Sequence, residues 1–432
     1  MRRLISLVVM LGMISALVIT AGPVAVPPAG AAQAPVKVVY WRALSGAPGT
    51  AQEELVKRFN ASQREVEVEA QFQGAYPELM RKLQAGIAAR TTPEVVMLDS
   101  PFMPYFAKNG ALVALDDLAA GPDGVNLKDF IAGLLADGYF QGKLYALPFA
   151  RSTPILYYNR DLFKEVGLPD RAPSTWDEFL EFSGKLTKKE GAQTTRVGYA
   201  VQLGTTTAHW YFQGLLFAYG NDVSDNTYDV FLDRPEAIAA AKYLYDLVFT
   251  HGVAIPGTGP DGAQGEFTNQ RSGMHFGSTG SLANILKTSK FSVGVGFMPA
   301  AKRRQVPVGG SVLAIMRMAP REKQAAAWKF IKYMTNAQSN TYFVQQTGYM
   351  PISASASNSQ VMKDFFARNP EFIVAVNQLR YVRPQASIIS VPEGTEIFRQ
   401  LVEKLTVGKV DPAQAMREAN AALKKAYTET FK

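Results

Sequence analysis

The residues of this chain that could do chemistry are sparse. Three histidines, His209, His251 and His275, are too widely spaced for a local metal motif, and each is expected to be structural or exposed. There is no cysteine, which removes disulfides, thiolate zinc sites and catalytic thiols together. Gly257 to Gly262 spells G-x-G-x-x-G, but Pro256 and Pro260 interrupt it on both sides and mark a loop rather than a strand-to-helix turn. Asp116 and Asp117 are adjacent, so their carboxylates diverge and read as a helix start rather than an acid pair. No P-loop, H-E-x-x-H or G-x-S-x-G is present. What is left is a set of polar, small and aromatic residues at element ends: Tyr76, Asp99, Ser278, Ser281 and Gly309-Gly310. In α/β sheets such positions collect ligands, because strand C-termini and helix N-termini present unpaired N–H groups. Each serves equally well as a cap or turn, and the pattern suits reversible binding rather than catalysis.

The elements that must position these residues alternate. Val36 to Trp41 is a β-branched apolar run expected to be a buried strand, and Ala51 to Asn60 an amphipathic helix. Val66 to Phe72 alternates with period two, Tyr76 to Ala89 reads as a helix, and Pro93 to Leu98 as another strand. This βαβαβ opening predicts a mostly parallel sheet. Further on, Ile155 to Asn159 and Val197 to Leu203 read as strands, and Thr175 caps a helix spanning Trp176 to Lys189. Helices follow at His209 to Tyr219 and Pro235 to Thr250, with strands at Phe291 to Met298 and Ser311 to Met316. A helix from Glu322 to Thr335 and a helical C-terminal region from Thr395 complete the pattern, which implies an α/β protein of two similar-sized lobes.

The bulk properties agree. With 432 residues, 47% hydrophobic and 19% charged, the chain is globular and long enough for more than one core. Its formal charge of +8 comes from scattered basic residues, a weak argument for an anionic partner, and no nucleic-acid partner is expected. Arg2 and Arg3 followed by the apolar Leu4 to Thr20 read as a secretory signal, with cleavage near Ala31 in Ala29-Gly30-Ala31; a retained membrane anchor is the alternative, since the run is nearly long enough to span a bilayer. The absence of a following cysteine speaks against a lipid-anchored lipoprotein, so the expected location is a periplasm or the cell exterior.

The segment Gly142-Lys143-Leu144-Tyr145-Ala146-Leu147-Pro148, continued by Ser152-Thr153-Pro154-Ile155-Leu156-Tyr157-Tyr158-Asn159-Arg160-Asp161-Leu162-Phe163, resembles the family 1 extracellular solute-binding proteins of ABC importers. Gly167-Leu168 and Pro173-Ser174-Thr175-Trp176-Asp177-Glu178-Phe179 match the family's next segment. The resemblance implies an α/β, two-lobed periplasmic-binding-protein fold with discontinuous lobes and a hinged cleft. The implied division is a signal over 1–31, one lobe from 32–148 and 301–345, and the other from 149–300 and 346–432. It also implies a monomer that needs no cofactor or metal and hands a small polar ligand to the permease of an importer.

Within the family, Gly74-Ala75-Tyr76, Ser278 to Ile285, Val308-Gly309-Gly310-Ser311 and Gln346 to Ile352 are most similar to the members that bind glycerol 3-phosphate. That likeness implies ligand contacts from Tyr76, Ser152, Ser278, Gly310 and Tyr349, with Arg383 as the phosphate-binding cation. Asp99 stands where those members have a glutamate, and would accept from glycerol hydroxyls directly or through water. Trp210 aligns with one of their two tryptophans, whereas Thr207 replaces the other and opens room for a bulkier head group, such as that of a glycerophosphodiester. A mono- or oligosaccharide stacked on Trp41, Trp210 and Tyr349 is the alternative ligand, with Arg383 reduced to a structural ion pair. A secreted glycerophosphodiesterase or glycosidase would need a metal cluster or two facing carboxylates, and the sequence offers neither.

Overall fold

The alternating segment forms the strand Val66–Phe72, with Val66 and Val68 buried and Glu67 and Glu69 outside. It lies at the sheet edge, paired in parallel with Val36–Arg42. The run Val95–Asp99, apolar up to its final aspartate, instead lies inside the sheet and is buried along its whole length. A strand covered on both faces has no reason to alternate. Val95 and Met97 pack on one face with Leu55, Phe59 and Phe330, while Val96 and Leu98 pack on the other with Leu79, Leu83 and Phe106. The computed structural model describes residues 34–431 except 205, 206, 226, 227, 258–261 and 392. The expected signal with its cleavage site, and the core of the Gly257–Gly262 pattern, lie outside the described residues.

The first sheet has the order Val66–Phe72, Val36–Arg42, Val95–Asp99, Gly309–Ile315, Ala146–Ser152. The second has the order Ala254–Pro256, Gln193–Val201, Ser272–Ser278, Pro154–Asn159, Val293–Gly296. Neither sheet is as parallel as expected. Gly309–Ile315 runs antiparallel to both of its neighbours, and Pro154–Asn159 runs antiparallel to Ser272–Ser278 and Val293–Gly296. The reason is connectivity. A chain returning from the other lobe enters the first sheet at its cleft end and must run against strands that finish there.

The two sheets are the frames of two lobes. The strands Ala146–Ser152, in the first sheet, and Pro154–Asn159, in the second, adjoin at Thr153. The chain returns to the first sheet between Gly296 and Gly309, and the helices Arg321–Thr335 and Ala337–Thr347 then pack on the first lobe. Beyond them, Gln360–Arg368 and Pro370–Gln378 join the second lobe's apolar cluster. A two-stranded ribbon, Val306–Pro307 with Val382–Arg383, lies beside this junction. Helix caps follow the sequence closely: Thr175 Oγ1 accepts from the Glu178 N–H at 3.1 Å at the head of Trp176–Leu186.

Candidate functional site

The first lobe's wall of the cleft is built by strand register. Asp99, the last residue of its strand, pairs across to Ser311, while Ser152 and Arg151 pair across to Gly309 and Gly310. Three strands thus bring a carboxylate, a hydroxyl and a glycine pair to one edge. Tyr76 reaches the same edge from the start of its helix, with Pro77 in the first turn fixing the backbone entry. Its hydroxyl is buried beside Ser311 without a well-formed hydrogen bond among the described residues. Burial raises the Tyr76 phenol well above its ordinary pKa, and Tyr349 and Asp99 nearby push it the same way.

Asp99 is the electrostatic centre of this wall. Burial drives its carboxyl up to about 7, softened by the Arg151 charge and the Ser100 N–H and reinforced by Asp137. Arg151 lies beneath, fully buried, paired through Nη2 with Asp137 and donating from Nη1 to the Gly310 carbonyl at 3.3 Å. That bond seats Gly310, whose φ of +87° belongs to the left-handed region. A Cβ there would stand 1.9 Å from the Ala150 carbonyl oxygen. Gly310→Ala is therefore expected to destabilise the protein by more than about 2 kcal/mol. A wild-type denaturation midpoint for that variant would show that the strand end relaxes instead.

The second lobe supplies the facing wall. Ser278 ends its strand and accepts from the Gly280 N–H at 3.1 Å, turning the chain into the short helix Leu282–Thr288. Trp210 sits in the first turn of Ala208–Ala218, and its indole Nε1 donates to the Pro307 carbonyl at 3.2 Å. The indole lies so close to Gly309 that a Cβ there would come within 2.5 Å of it. Tyr349 follows the helix Ala337–Thr347 and stacks its ring over Gly280. Its phenol is also raised, first by burial and then by Asp99.

Tyr76, Asp99, Ser152, Trp210, Ser278, Gly310 and Tyr349 line one cavity of about 280 Å³. Arg383 does not join them. It lines a neighbouring recess, where Nη1 bonds Asp222 at 2.5 Å and Gln305 at 3.3 Å and the guanidinium sits over Phe217. Gln385, two residues on, lines both spaces. Trp41 is also elsewhere, donating from Nε1 to Gln71 at 3.0 Å. Sequence reasoning missed Gln202, Tyr211, Gln264, Gly277 and Gln385, which complete the lining together with the buried His209 and His275, expected only to be structural or exposed. The usable signal was position. Gln202 directly follows a strand, and His275 and Gly277 lie in the last turns of pleat before Ser278. Asp99 is the one carboxylate of the lining, which contains no lysine or arginine among the described residues. Such a surface offers hydrogen-bonding groups and aromatic faces.

The model of the bacterial extracellular solute-binding proteins matches residues 54–373. The sn-glycerol-3-phosphate-binding periplasmic protein UgpB of Escherichia coli strain K12 is 28% identical over 415 residues, covering 90% of this chain and 92% of that protein. The crystal structure of UgpB from Mycobacterium tuberculosis, in complex with glycerophosphocholine, superposes with a TM-score of 0.82 at 32% identity, covering 93% of this chain and all of that one. A Listeria monocytogenes ABC substrate-binding protein in complex with cycloalternan shares the fold, with a TM-score of 0.79 at 19% identity over 92% of this chain. With two sheet-based lobes, a polar cavity between them and a family match over most of its length, this chain belongs to the bacterial extracellular solute-binding proteins of ABC importers.

Proposed function

We propose that the protein captures glycerol 3-phosphate or a glycerophosphodiester in the interlobe cleft, without chemical conversion, and as a monomer delivers it to the permease of an importer. The observation that carries this reading is the convergence of Tyr76, Asp99, Ser152, Trp210, Ser278, Gly310 and Tyr349 on one cavity. Those residues come from distant parts of the chain, and all but Asp99, which stands in place of a glutamate, resemble the pattern of glycerol-3-phosphate-binding members. The names of the relatives support the same ligand class. Asp99 accepts from glycerol hydroxyls, while Tyr76, Ser152, Ser278 and Tyr349 donate to phosphate oxygens. Thr207 at the cavity rim leaves space for a head group beyond the phosphate. The solute is met outside the cytoplasmic membrane, after the leader has been removed near Ala31.

One observation favours a sugar as the second reading. Arg383 is held by Asp222 and Gln305 rather than lining the cavity, so among the described residues no cation stands ready for a phosphate there. Isothermal titration calorimetry against glycerol 3-phosphate, glycerophosphocholine and maltose separates the two. Binding of a phosphate ligand is expected, with Arg383→Ala weakening it at least tenfold if lobe closure recruits the guanidinium away from Asp222. Unchanged affinity in that variant removes Arg383 from the site, and binding of maltose alone establishes the second reading.

A further inference from the structure

His275 is fully buried in the strand Ser272–Ser278, with its ring faces covered on both sides. Tyr157 stacks at 6.0 Å and 27°, and Phe267 at 5.8 Å and 24°. Only the edges of the imidazole remain for polar contact, and neither nitrogen has a hydrogen-bond partner among the described residues. A neutral imidazole carries one donor and one acceptor, and buried polar groups are almost always satisfied. Two empty valences on one buried ring therefore ask for a partner that the protein does not supply.

The direction from which that partner arrives is set by Gly277. Residues two apart on a strand share a face, and both His275 and Gly277 line the cavity. A Cβ at Gly277 would lie 2.9 Å from His275 Nε2 and 2.7 Å from the Tyr157 ring. Any side chain at that position would press against the nitrogen, whereas glycine places no side chain between it and the cavity. The neighbouring groups on this wall, Gln202, Gln264, Tyr211 and Ser278, are uncharged as well. The wall thus pairs neutral donors and acceptors, in contrast to the carboxylate of the opposite one.

We propose that His275 is a ligand-contacting, specificity-determining residue whose Nε2 edge, uncovered by Gly277, exchanges a hydrogen bond with a hydroxyl of the bound solute. Burial holds the imidazole down to about 3, so it meets the ligand as a neutral group rather than as a counter-ion. A hydroxyl is the matching chemistry, because it too both gives and accepts. The inference rests on the cavity being the solute site, and it adds a second reader of hydroxyl groups, facing Asp99 from the other lobe.

His275→Phe keeps an aromatic ring between Tyr157 and Phe267 and deletes both nitrogens, and Gly277→Ala covers the edge while leaving the histidine in place. Each is titrated against whichever of glycerol 3-phosphate, glycerophosphocholine and maltose the wild type binds, with thermal unfolding of the free protein in parallel. The expected result is a loss of affinity of about tenfold in His275→Phe with no fall in the melting temperature of the unliganded protein. A histidine that was only structural would show the reverse. If glycerol 3-phosphate is the ligand, its two deoxy analogues provide a cycle: the one lacking the hydroxyl that His275 reads binds wild type and His275→Phe alike. Wild-type affinity in both variants overturns the inference and leaves the solute reading standing. A wild type that binds none of the three probes overturns that reading and this inference with it.

Discussion

Replacing Arg151 by methionine is expected to cost about 3–5 kcal/mol of folding free energy, because Asp137 then stays buried without a counter-charge. The pair is enclosed on both sides, with the guanidinium fully buried and Asp137 nearly so. The desolvation of each ion is already included in the native state, so removing one strands the other. The same substitution frees the Gly310 carbonyl and removes the positive charge that restrains Asp99. Denaturant unfolding at neutral pH reads the effect. Adding Asp137→Asn to Arg151→Met should restore a large part of the loss, since no stranded charge remains. A single variant within 1 kcal/mol of wild type, and no recovery in the double, would mean that water reaches the pair.

Asp99→Asn has an effect of similar size, but one that depends on pH. In the unfolded chain an aspartate ionises near 3.9, whereas burial holds Asp99 up to about 7 in the folded protein. Its contribution to stability is whole below about pH 4 and is lost as pH rises toward 7, because the unfolded chain gives up its proton first. At about 1.4 kcal/mol per pH unit, the loss is on the order of 4 kcal/mol by pH 8. Asparagine has the same shape and no proton to lose. The variant should match wild type near pH 4 and exceed it increasingly to pH 8, and a gap independent of pH would place Asp99 at an ordinary carboxylate pKa. Binding inverts the sign. A solute hydroxyl that donates to Asp99 favours its ionised form, so capture near pH 7 should release a fraction of a proton, read as a binding enthalpy that varies with the ionisation heat of the buffer.

Much of the architecture was legible because local chemistry and tertiary position agree. Val66–Phe72 and Tyr76–Ala89 have the expected limits, since an edge strand with one buried face and an amphipathic helix write their environment into their own period. The helix from Trp176 ends at Leu186 rather than Lys189, because Lys188–Glu190 folds back as a strand on Gln193–Val201. No helical period distinguishes three exposed polar residues that take the other option. The antiparallel course of Gly309–Ile315 was hidden for a different reason: direction is decided by where the chain comes from, not by the residues in the strand.

The site divides along the same line. Tyr76, Asp99, Ser278 and Gly310 mark the ends of elements, where sequence punctuation is strong. His275, Gln264 and Gln202 face the cleft only because the first lobe stands opposite, and for Gln202 and His275 nearness to a strand end is the one local sign of it. Arg383 failed to join the lining for a comparable reason, since its carboxylate partner, Asp222, lies 161 positions away along the chain.

The placing of Trp210 gives the protein an optical signal of its own. Of its four tryptophans, Trp176 and Trp328 are buried in apolar clusters, Trp41 belongs to a strand of the first sheet, and Trp210 alone lines the cavity. Its indole is fixed along its Nε1 edge, by the Pro307 carbonyl and the nearby Gly309, at the segment that joins the lobes. Exchange of solvent for solute at its face, or movement of that segment, changes the emission of this one chromophore against three unresponsive ones. Occupancy is thereby written into the colour and intensity of the unlabelled protein, and Trp210→Phe would make it silent.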